Sequence, residues 1–277
     1  MSAISAADVK KLRDITGAGM MDCKKALEEA AGNMDAAIDY LRKKGAKVAE
    51  LRAGRDANEG CIIILTNDNH TTGVMVQMGC ETDFVSKNDS FIEFTTSVAN
   101  VALKNACKTA EDLLKADLDG VSVQDRIAEK VGVIGENISI QSYNIIEGDL
   151  VTFYNHNNRA GAIVSMSKAS ESLTSLGKDL AMQITAMKPV AVDETSVTEE
   201  QKEREKAIAR EKAVEEGKPE NILEKIAEGA LNKFYKEFTL LKQEYIKDNK
   251  KTIEQVIKET DKDVKVLGFY RAELGSK

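Results

Sequence analysis

Two short apolar runs decide the fold of this chain: CIIIL at residues 61–65 and VMVQM at residues 74–78. The polar, turn-rich residues 66–73 join them, and short runs rich in Ile and Val are typical of β-strands. We predict that the two runs form a β-hairpin. Apolar residues then recur at helical spacing from Phe91 to about Cys107, so we expect a helix soon after the hairpin.

The same order of elements recurs in the second half of the chain. The apolar patterns predict a strand over residues 138–146, a second hairpin from residues 150–154 and 162–166, and a helix over residues 172–187. A hairpin followed by a helix, twice, indicates two related α+β subdomains with antiparallel sheets. A last strand over residues 264–271 must rejoin a sheet to bury its apolar face.

The amino-terminal part predicts a separate helical unit. Apolar spacing marks three short helices, the first broken by TGAG at residues 16–19 and the second stopped by Gly32. Asn33 caps the third helix, which we expect to end at Gly45 and to be followed by a helical extension over residues 46–53. Three such helices give a small core, so this unit is expected to dock against another surface.

The predicted fold class is α+β, with three domains. A three-helix domain covers residues 1–54, a first core subdomain covers residues 55–140, and a second covers residues 141–277. Residues 198–216 are nearly all charged residues and alanine, and a second helical pattern follows after a short turn. We therefore expect an antiparallel helical hairpin inserted at about residues 197–235.

Composition excludes several classes of protein. The chain has 277 residues, a net charge of −7 and an isoelectric point near 5.2, which argues against a general nucleic-acid binder. No apolar run approaches the about 18 residues of a membrane span, and the start lacks a signal-peptide pattern. We expect a cytoplasmic protein that binds neither membrane nor nucleic acid directly. Its four cysteines form no Cys-x-x-Cys pair, which predicts buried free thiols.

The residues offer no catalytic set. His70 and His156 each lie in a predicted turn, and two histidines without paired thiols do not make a zinc site. GAGMMD at residues 17–22 imitates half of a dinucleotide fingerprint, but it lacks the third glycine and follows a helix. We therefore predict no enzyme activity, no catalytic residue, no cofactor and no metal site.

Two positions stand out as candidate contact residues. At the corner GCETDFVSKN, residues 79–88, the residue types alone favour Phe84 as a core residue and Asp83 as a turn or helix-start residue. Met20 and Met21 open a helix, and only one of them can face a three-helix core. Core packing of Met20 with incidental exposure of Met21 is one interpretation. A soft contact surface for a partner helix is the other.

Several motifs resemble those of the bacterial elongation factor Ts family. The two main ones are LRDITGAGMMDCKKAL at residues 12–27 and CETDFV at residues 80–85. Further similar segments lie at residues 134–138, 156–161, 187–189, 217–219 and 268–271. Their order and spacing agree with the family over essentially the whole chain.

The resemblance implies a guanine-nucleotide exchange factor. Its partner would be the translational GTPase elongation factor Tu, from which it promotes GDP release so that GTP can bind. The resemblance also implies a ubiquitin-associated-like helical domain, a two-part α+β core and an inserted coiled-coil hairpin, in agreement with the pattern above.

The resemblance further assigns candidate site residues. By analogy with the family, a helix of the GTPase is contacted by Met20, Met21 and Lys24. The segment expected to disturb the magnesium site of the GTPase is Thr82, Asp83, Phe84 and Val85, with the Phe84 ring entering between GTPase helices. His156 is expected to contact the same region. With the resemblance included, Phe84 becomes an exposed wedge instead of a core residue.

The chain departs from the family pattern in two places. Gly79 stands where the family usually has Asn, which predicts a looser approach to Thr82. The chain stops at Lys277, so the extra C-terminal segment of some members is expected to be absent. The alternative function is a non-catalytic scaffold or chaperone that binds peptides through the helical domain and assembles through the charged hairpin. An enzyme acting on a small molecule ranks third, because no catalytic set is present.

Overall fold

The computed structural model describes residues 4–275, and within that range the chain forms eleven α-helices and ten strands. The helices are α1 (Ala6–Thr16), α2 (Met20–Glu29), α3 (Met34–Arg52), α4 (Asp83–Ser86), α5 (Asp89–Lys104), α6 (Ala110–Lys115), α7 (Val123–Ile134), α8 (Glu171–Met187), α9 (Glu199–Glu215), α10 (Glu220–Phe238) and α11 (Ile253–Thr260). The strands are β1 (Glu59–Thr66), β2 (Thr72–Cys80), β3 (Asp117–Leu118), β4 (Val121–Ser122), β5 (Ser139–Glu147), β6 (Leu150–His156), β7 (Ala160–Met166), β8 (Glu244–Tyr245), β9 (Asp248–Thr252) and β10 (Val266–Glu273).

The strands form two main sheets of three strands each. The first has the order β1-β2-β5 and the second has the order β10-β7-β6. The pairings within them are antiparallel, which together with the helices confirms the α+β class. Both predicted hairpins form, as β1 with β2 and as β6 with β7, and β10 rejoins a sheet beside β7 as its apolar face requires.

The strand β1 shows why its sequence is apolar at every position from 61 to 65. Cys61 and Ile63 pack in the core that the first sheet forms with α5 and α7. Ile62 and Ile64 point to the opposite face and pack against residues of the second sheet, including Ile163 of β7. Because side chains alternate between the faces of a strand, a strand buried on both faces needs no polar positions.

The second sheet repeats this arrangement. Ile163 faces the first sheet, whereas Ala162 and Val164 face a third core formed with α8 and α11. The main body therefore has the layer order helices, sheet, sheet, helices. Each sheet contributes one face to the common central core and the other face to its own helices.

The strand β5 belongs to the first sheet. Its residues pair with β2 from Thr72 opposite Glu147 to Gly79 opposite Ser139. The predicted domain boundary at residue 140 falls inside β5. It would assign most of this strand to the second subdomain, although the strand pairs with β2 of the first. A boundary after β5 fits the pairing better, and the three-domain division otherwise stays a prediction.

The sequence suggested that the third helix ends at Gly45, but the structure shows that it does not. It continues to Arg52, and Gly45 faces Gly132 of α7 where the two helices cross. A Cβ atom added to Gly132 would lie 2.6 Å from Cα of Gly45, so the missing side chains permit the close approach. Arg42 and Glu129 form an ion pair of 2.7 Å beside this crossing, which docks the helical domain on the core.

The helical hairpin consists of α9 and α10, packed antiparallel across a turn at Gly217, where φ is 72°. Arg210 and Glu224 join the two helices in an ion pair of 2.6 Å. At the base of the hairpin the buried Gln243 donates to the carbonyl oxygens of Glu237 (2.8 Å) and Met187 (3.2 Å). The hairpin is thereby fixed to the end of α8, and its description as a coiled coil stays a prediction.

The glycine crossing gives a stability prediction. Gly132→Ala should lower the free energy of unfolding by roughly 1–3 kcal/mol, because the new methyl group meets the α3 backbone and the helices must separate. Gly229→Ala in α10 is the matched control, since nothing lies within 4 Å of its Cβ position. That control should gain up to about 1 kcal/mol from helix propensity. Calorimetric melting of both variants checks this, and a Gly132→Ala protein as stable as Gly229→Ala would contradict the close crossing.

Candidate functional site

The corner between β2 and α4 presents one aromatic ring to solvent. Phe84 is 84% exposed, which makes it the most exposed large apolar side chain among residues 4–275. The core position that the residue types alone favoured for it is therefore wrong. The exposed orientation agrees with the alternative that the family resemblance suggested, while the contact role of the ring stays a prediction.

The single turn of α4 separates outward from inward side chains. Val85 packs partly buried against the core of the first sheet, and Ser86 is buried with its hydroxyl donating to the carbonyl oxygen of Asp83 at 3.2 Å. Successive residues of a helix point about 100° apart, so burial of Val85 and Ser86 leaves Phe84 on the outside. The four residues of the candidate segment thus lie together, with Phe84 alone fully outward.

Asp83 forms an ion pair with Lys87, one turn further on, at 2.7 Å. The hydrogen bond and the charge of this ammonium group lower the pKa of the Asp83 carboxyl below its usual value. The side chain is still 47% exposed. The corner therefore presents an ionised carboxylate directly beside an apolar ring.

The carboxylate of Glu136 holds the corner from the other side. Its Oε2 atom accepts hydrogen bonds from the backbone N–H groups of Glu81 and Thr82, both at 3.0 Å. Its Oε1 atom accepts the hydroxyl of Thr82 at 2.6 Å. Three donors from two consecutive residues thus converge on one side chain that lies between α7 and β5.

Glu81 makes the reciprocal set of contacts. Its carboxylate accepts the backbone N–H of Asn137 at 2.7 Å and guanidinium groups of Arg52 at 2.9 Å and Arg55 at 3.4 Å. These contacts, the Asn137 hydrogen bond first, lower the pKa of the Glu81 carboxyl. The side chain of Asn137 also donates to the carbonyl oxygen of Arg55 at 2.7 Å. We name Glu81 and Glu136 together the carboxylate pair.

Sequence reasoning missed the carboxylate pair. Its members are separated by more than 50 positions along the chain, so no local spacing relates them. A local signal does exist at Gly135, which ends α7 in the left-handed conformation (φ 79°) and turns the chain toward the corner immediately before Glu136. The segment containing Glu136 was noted only as similar to the family.

Gly79 lies in the sheet just before the corner, and its effect on the approach to Thr82 stays a prediction. It is buried in the sheet, where it pairs with Gly60 on one side and Ser139 on the other. A Cβ atom at Gly79 would lie 2.7 Å from the side chain of Gln141, so the position is closely packed. The strand pairing continues through Gly79 to Cys80.

The turn between β6 and β7 lies beside the same corner. The N–H of Ile62 donates to the carbonyl oxygen of Asn158 at 2.8 Å, which docks the turn on β1. Arg159 reaches Glu59 in an ion pair of 3.1 Å, and it lines a shallow depression together with Thr82, Asp83 and Phe84. The structure therefore brings the turn that carries His156 to the surface of the Phe84 corner.

His156 itself is exposed at this turn. A ring nitrogen, Nδ1, lies 3.0 Å from the hydroxyl of Tyr154, and the two rings are 6.0 Å apart. The hydroxyl of Tyr154 thus orients the exposed imidazole.

The candidate residues of the helical domain lie on a second surface. Met20 is 44% exposed and Met21 is 76% exposed, so the interpretation of Met20 as a core residue is wrong. The core positions of α2 belong instead to Cys23, Ala26 and Leu27. Lys24 is also exposed, and its Nζ atom lies 3.9 Å from Oε1 of Glu28 in an ion pair.

The helix α3 joins the two surfaces. Lys44 forms an ion pair with Asp22, so the first turn of α2 lies beside residue 44 of α3. Arg52, at the end of α3, binds Glu81 of the corner. Arg52 lies eight positions after Lys44 in the same helix, which is about 12 Å along the axis. One rigid helix thus spans the two candidate contact surfaces.

Metal-binding clusters and membrane-spanning helices are both absent from the described residues. No cluster of His, Cys, Asp or Glu within residues 4–275 could hold a metal ion. None of the helices in that range combines the length and apolar character needed to cross a membrane. All four cysteines are buried and free, and burial raises the pKa of Cys61 to about 11 and that of Cys80 to about 12.

Comparison with known proteins identifies related chains. A family model described as Elongation factor TS matches residues 81–276. The chain is 46% identical over 276 residues to Elongation factor Ts of Christiangramia forsetii and to that of Amoebophilus asiaticus, with 99% of this chain and 100% of each relative covered. It is 43% identical over 289 residues to Elongation factor Ts of Prosthecochloris aestuarii, with both chains fully covered.

The buried thiols give a prediction about reactivity. With a pKa about three units above pH 8, a thiol such as Cys61 is ionised on the order of one part in a thousand, and burial also blocks access. An aromatic disulfide reagent at pH 8 should therefore find almost no fast thiol in the folded protein and four after denaturation. The variant Lys25→Cys adds an exposed thiol as a positive control. Rapid reaction of the unmodified folded chain would contradict the burial of the four thiols.

Proposed function

The chain belongs to the elongation factor Ts family, and on that premise we propose that it is a guanine-nucleotide exchange factor for elongation factor Tu. The observation that carries the proposal is the similarity to proteins of that name over 99% of this chain. It promotes GDP release so that GTP can bind, in support of translation elongation. It acts in the cytoplasm on a protein partner, without covalent chemistry of its own and without binding nucleic acid or membrane directly.

The Phe84 corner is the proposed exchange element. The ring enters between helices of the GTPase, and Thr82, Asp83 and Val85 accompany it toward the magnesium and phosphate site. Magnesium requires near-octahedral coordination, so a small displacement of its ligands weakens the bound nucleotide. What supports this role is the exposure of Phe84 and the charge of Asp83 beside it. His156 is proposed to contact the same region of the partner, since its turn docks beside the corner.

The energy for exchange must come from more than one ring. An acceleration of about 10⁴-fold requires about 5.5 kcal/mol of differential interaction, whereas burying one Phe side chain supplies about 2–3 kcal/mol. Linkage demands that nucleotide and exchange factor weaken each other equally. We assign the remaining binding energy to the helical domain, with Met20, Met21 and Lys24 on a helix of the partner, and to the second subdomain.

One assay tests the proposed function. Elongation factor Tu loaded with a fluorescent GDP analogue is mixed with catalytic amounts of this protein and excess unlabelled nucleotide. Exchange activity predicts release that accelerates with the concentration of this protein. Unchanged release would reject exchange activity and favour the scaffold or chaperone alternative.

Substituting the exposed ring tests the exchange element. Phe84→Ala should slow exchange by roughly 10- to 100-fold without abolishing the complex, because the other surfaces still bind. The ring is 84% exposed, so the variant should melt like the unmodified protein. Val214→Ala, which also shortens an exposed apolar side chain but on α9, is the control. Full exchange activity in folded Phe84→Ala would remove the ring from the mechanism.

Substituting the exposed methionine tests the anchor. Met21→Ala should weaken the nucleotide-free complex by roughly 5- to 30-fold, as expected for loss of one interface side chain, and change the maximal exchange rate little. Calorimetric titration measures the affinity, and Ile208→Ala on α9 serves as the control for loss of an exposed apolar group. An unchanged affinity would argue against the helical domain as an anchor.

A further inference from the structure

The turn that carries Phe84 cannot hold its own shape. The helix α4 has only four residues, and Thr82 at its start makes no side-chain capping hydrogen bond to it. A single helical turn is unstable in isolation, because it fixes several backbone angles for one hydrogen bond. An apolar ring left in water also gains by folding back onto nearby apolar surface. The outward orientation therefore requires support from elsewhere in the fold.

The hydroxyl of Thr82 shows where that support lies. Instead of capping α4 it donates to Glu136 at 2.6 Å, and the backbone N–H groups of Thr82 and Glu81 donate to the same carboxylate. Hydrogen bonds to an ionised acceptor are stronger and more directional than those between neutral groups. Three of them immediately before Asp83 fix the direction in which the chain enters α4.

The support is reciprocal and spans three segments. The backbone N–H of Glu81 donates a hydrogen bond to the carboxylate of Glu136, and the backbone N–H of Asn137 donates one to the carboxylate of Glu81 at 2.7 Å. The same carboxylate binds Arg52 at 2.9 Å, and Arg52 is the last residue of α3. The corner, the connection from α7 to β5 and the end of α3 are therefore tied at one point. Only 17% of the Glu81 side chain and 28% of the Arg52 side chain are exposed, so this ion pair lies mostly out of solvent.

We infer that Glu81 and Glu136 are positioning residues for nucleotide exchange: the carboxylate pair holds the Phe84 turn in the orientation in which it engages the GTPase. The inference rests on the proposed exchange function. The pair does not touch the nucleotide or the metal in this account. It acts through Phe84, by keeping the ring from collapsing onto the surface of the first subdomain before and during the encounter.

The first test is Glu136→Gln, which keeps the size of the side chain but replaces one acceptor oxygen and the charge. The maximal rate of GDP release from elongation factor Tu should fall by about 5- to 30-fold, while the affinity for the nucleotide-free GTPase changes less than about twofold. Glu111→Gln on α6, whose side chain is 83% exposed, is the matched control and should leave both values unchanged. A general loss of stability would instead lower the active concentration and leave the maximal rate per active molecule unchanged.

The second test is a double-mutant cycle with Phe84→Ala. If Glu136 acts by positioning the ring, Glu136→Gln should slow exchange no further once the ring is gone, so the two effects should not add. Thr82→Val, which removes the 2.6 Å hydrogen bond while keeping the backbone donors, should give a smaller loss with the same non-additivity. It serves as the probe if Glu136→Gln does not fold, as judged by its melting temperature.

The possible outcomes separate the inference from the function on which it rests. Absence of accelerated GDP release with the unmodified protein would reject exchange activity itself. Normal acceleration by the unmodified protein together with unimpaired folded Glu136→Gln or Thr82→Val would overturn the positioning role alone. Effects that add fully to that of Phe84→Ala would also overturn it, because they would show that the pair does not act through the ring.

Discussion

Face-to-face packing of the two antiparallel sheets is the constraint on which the rest of this structure depends. It buries Ile62 and Ile64 of β1 against Ile163 of β7, and it leaves the outer face of each sheet to be covered by helices. The strands β1 and β7 at this contact are therefore buried on both faces. The packing also fixes where the connections emerge, because the turn between β6 and β7 docks on β1 through the Ile62–Asn158 hydrogen bond. Two connections distant in sequence thereby form one surface.

On that surface the exposed Phe84 ring is supported by polar residues that are joined by several hydrogen bonds. Phe84 lies outward while the residues just before it are fixed by the carboxylate pair and those just after it, Val85 and Ser86, are anchored in the core. Ordering before contact matters for recognition, because entropy lost in advance is not lost on binding. A mobile ring of the same hydrophobicity would bury as much area but would direct less of the binding energy to the partner's site.

The helix α3 relates the two candidate surfaces to each other. Gly45 and Gly132 let it lie against α7 at short range, and Arg52 at its end binds the corner through Glu81. A close helix crossing is stiff, since a small lateral shift brings backbone atoms into collision. The helical domain is consequently held at a defined position relative to Phe84. In the proposed function, which assigns binding to the helical domain and exchange to the Phe84 corner, this stiffness would transmit binding energy from one to the other.

The sequence by itself determined the local elements. The apolar runs of residues 61–65 and 74–78 predicted their hairpin, and the leucines of residues 172–187 predicted α8, because strand and helix periods depend only on near neighbours. The resemblance to the family also came from the sequence alone, since it requires only the order and spacing of motifs. The sequence identified the corner residues as candidate contact residues, but it did not show which side chains hold them in place.

Tertiary structure alone decided the remaining features. Gly45 has the local pattern of a helix end, yet it lies within α3 because α7 stabilises the continued helix across the glycine crossing. Most of the strand at residues 139–147 was assigned to the second subdomain from its place in the sequence. In the structure it pairs with β2 of the first sheet. The residue types alone did not decide whether Phe84 is buried or exposed, and the inward packing of Val85 places it outside. The contacts of Glu136 are with a segment more than 50 positions away. Long-range pairing and burial depend on which surfaces meet, and that information is not contained in any local period.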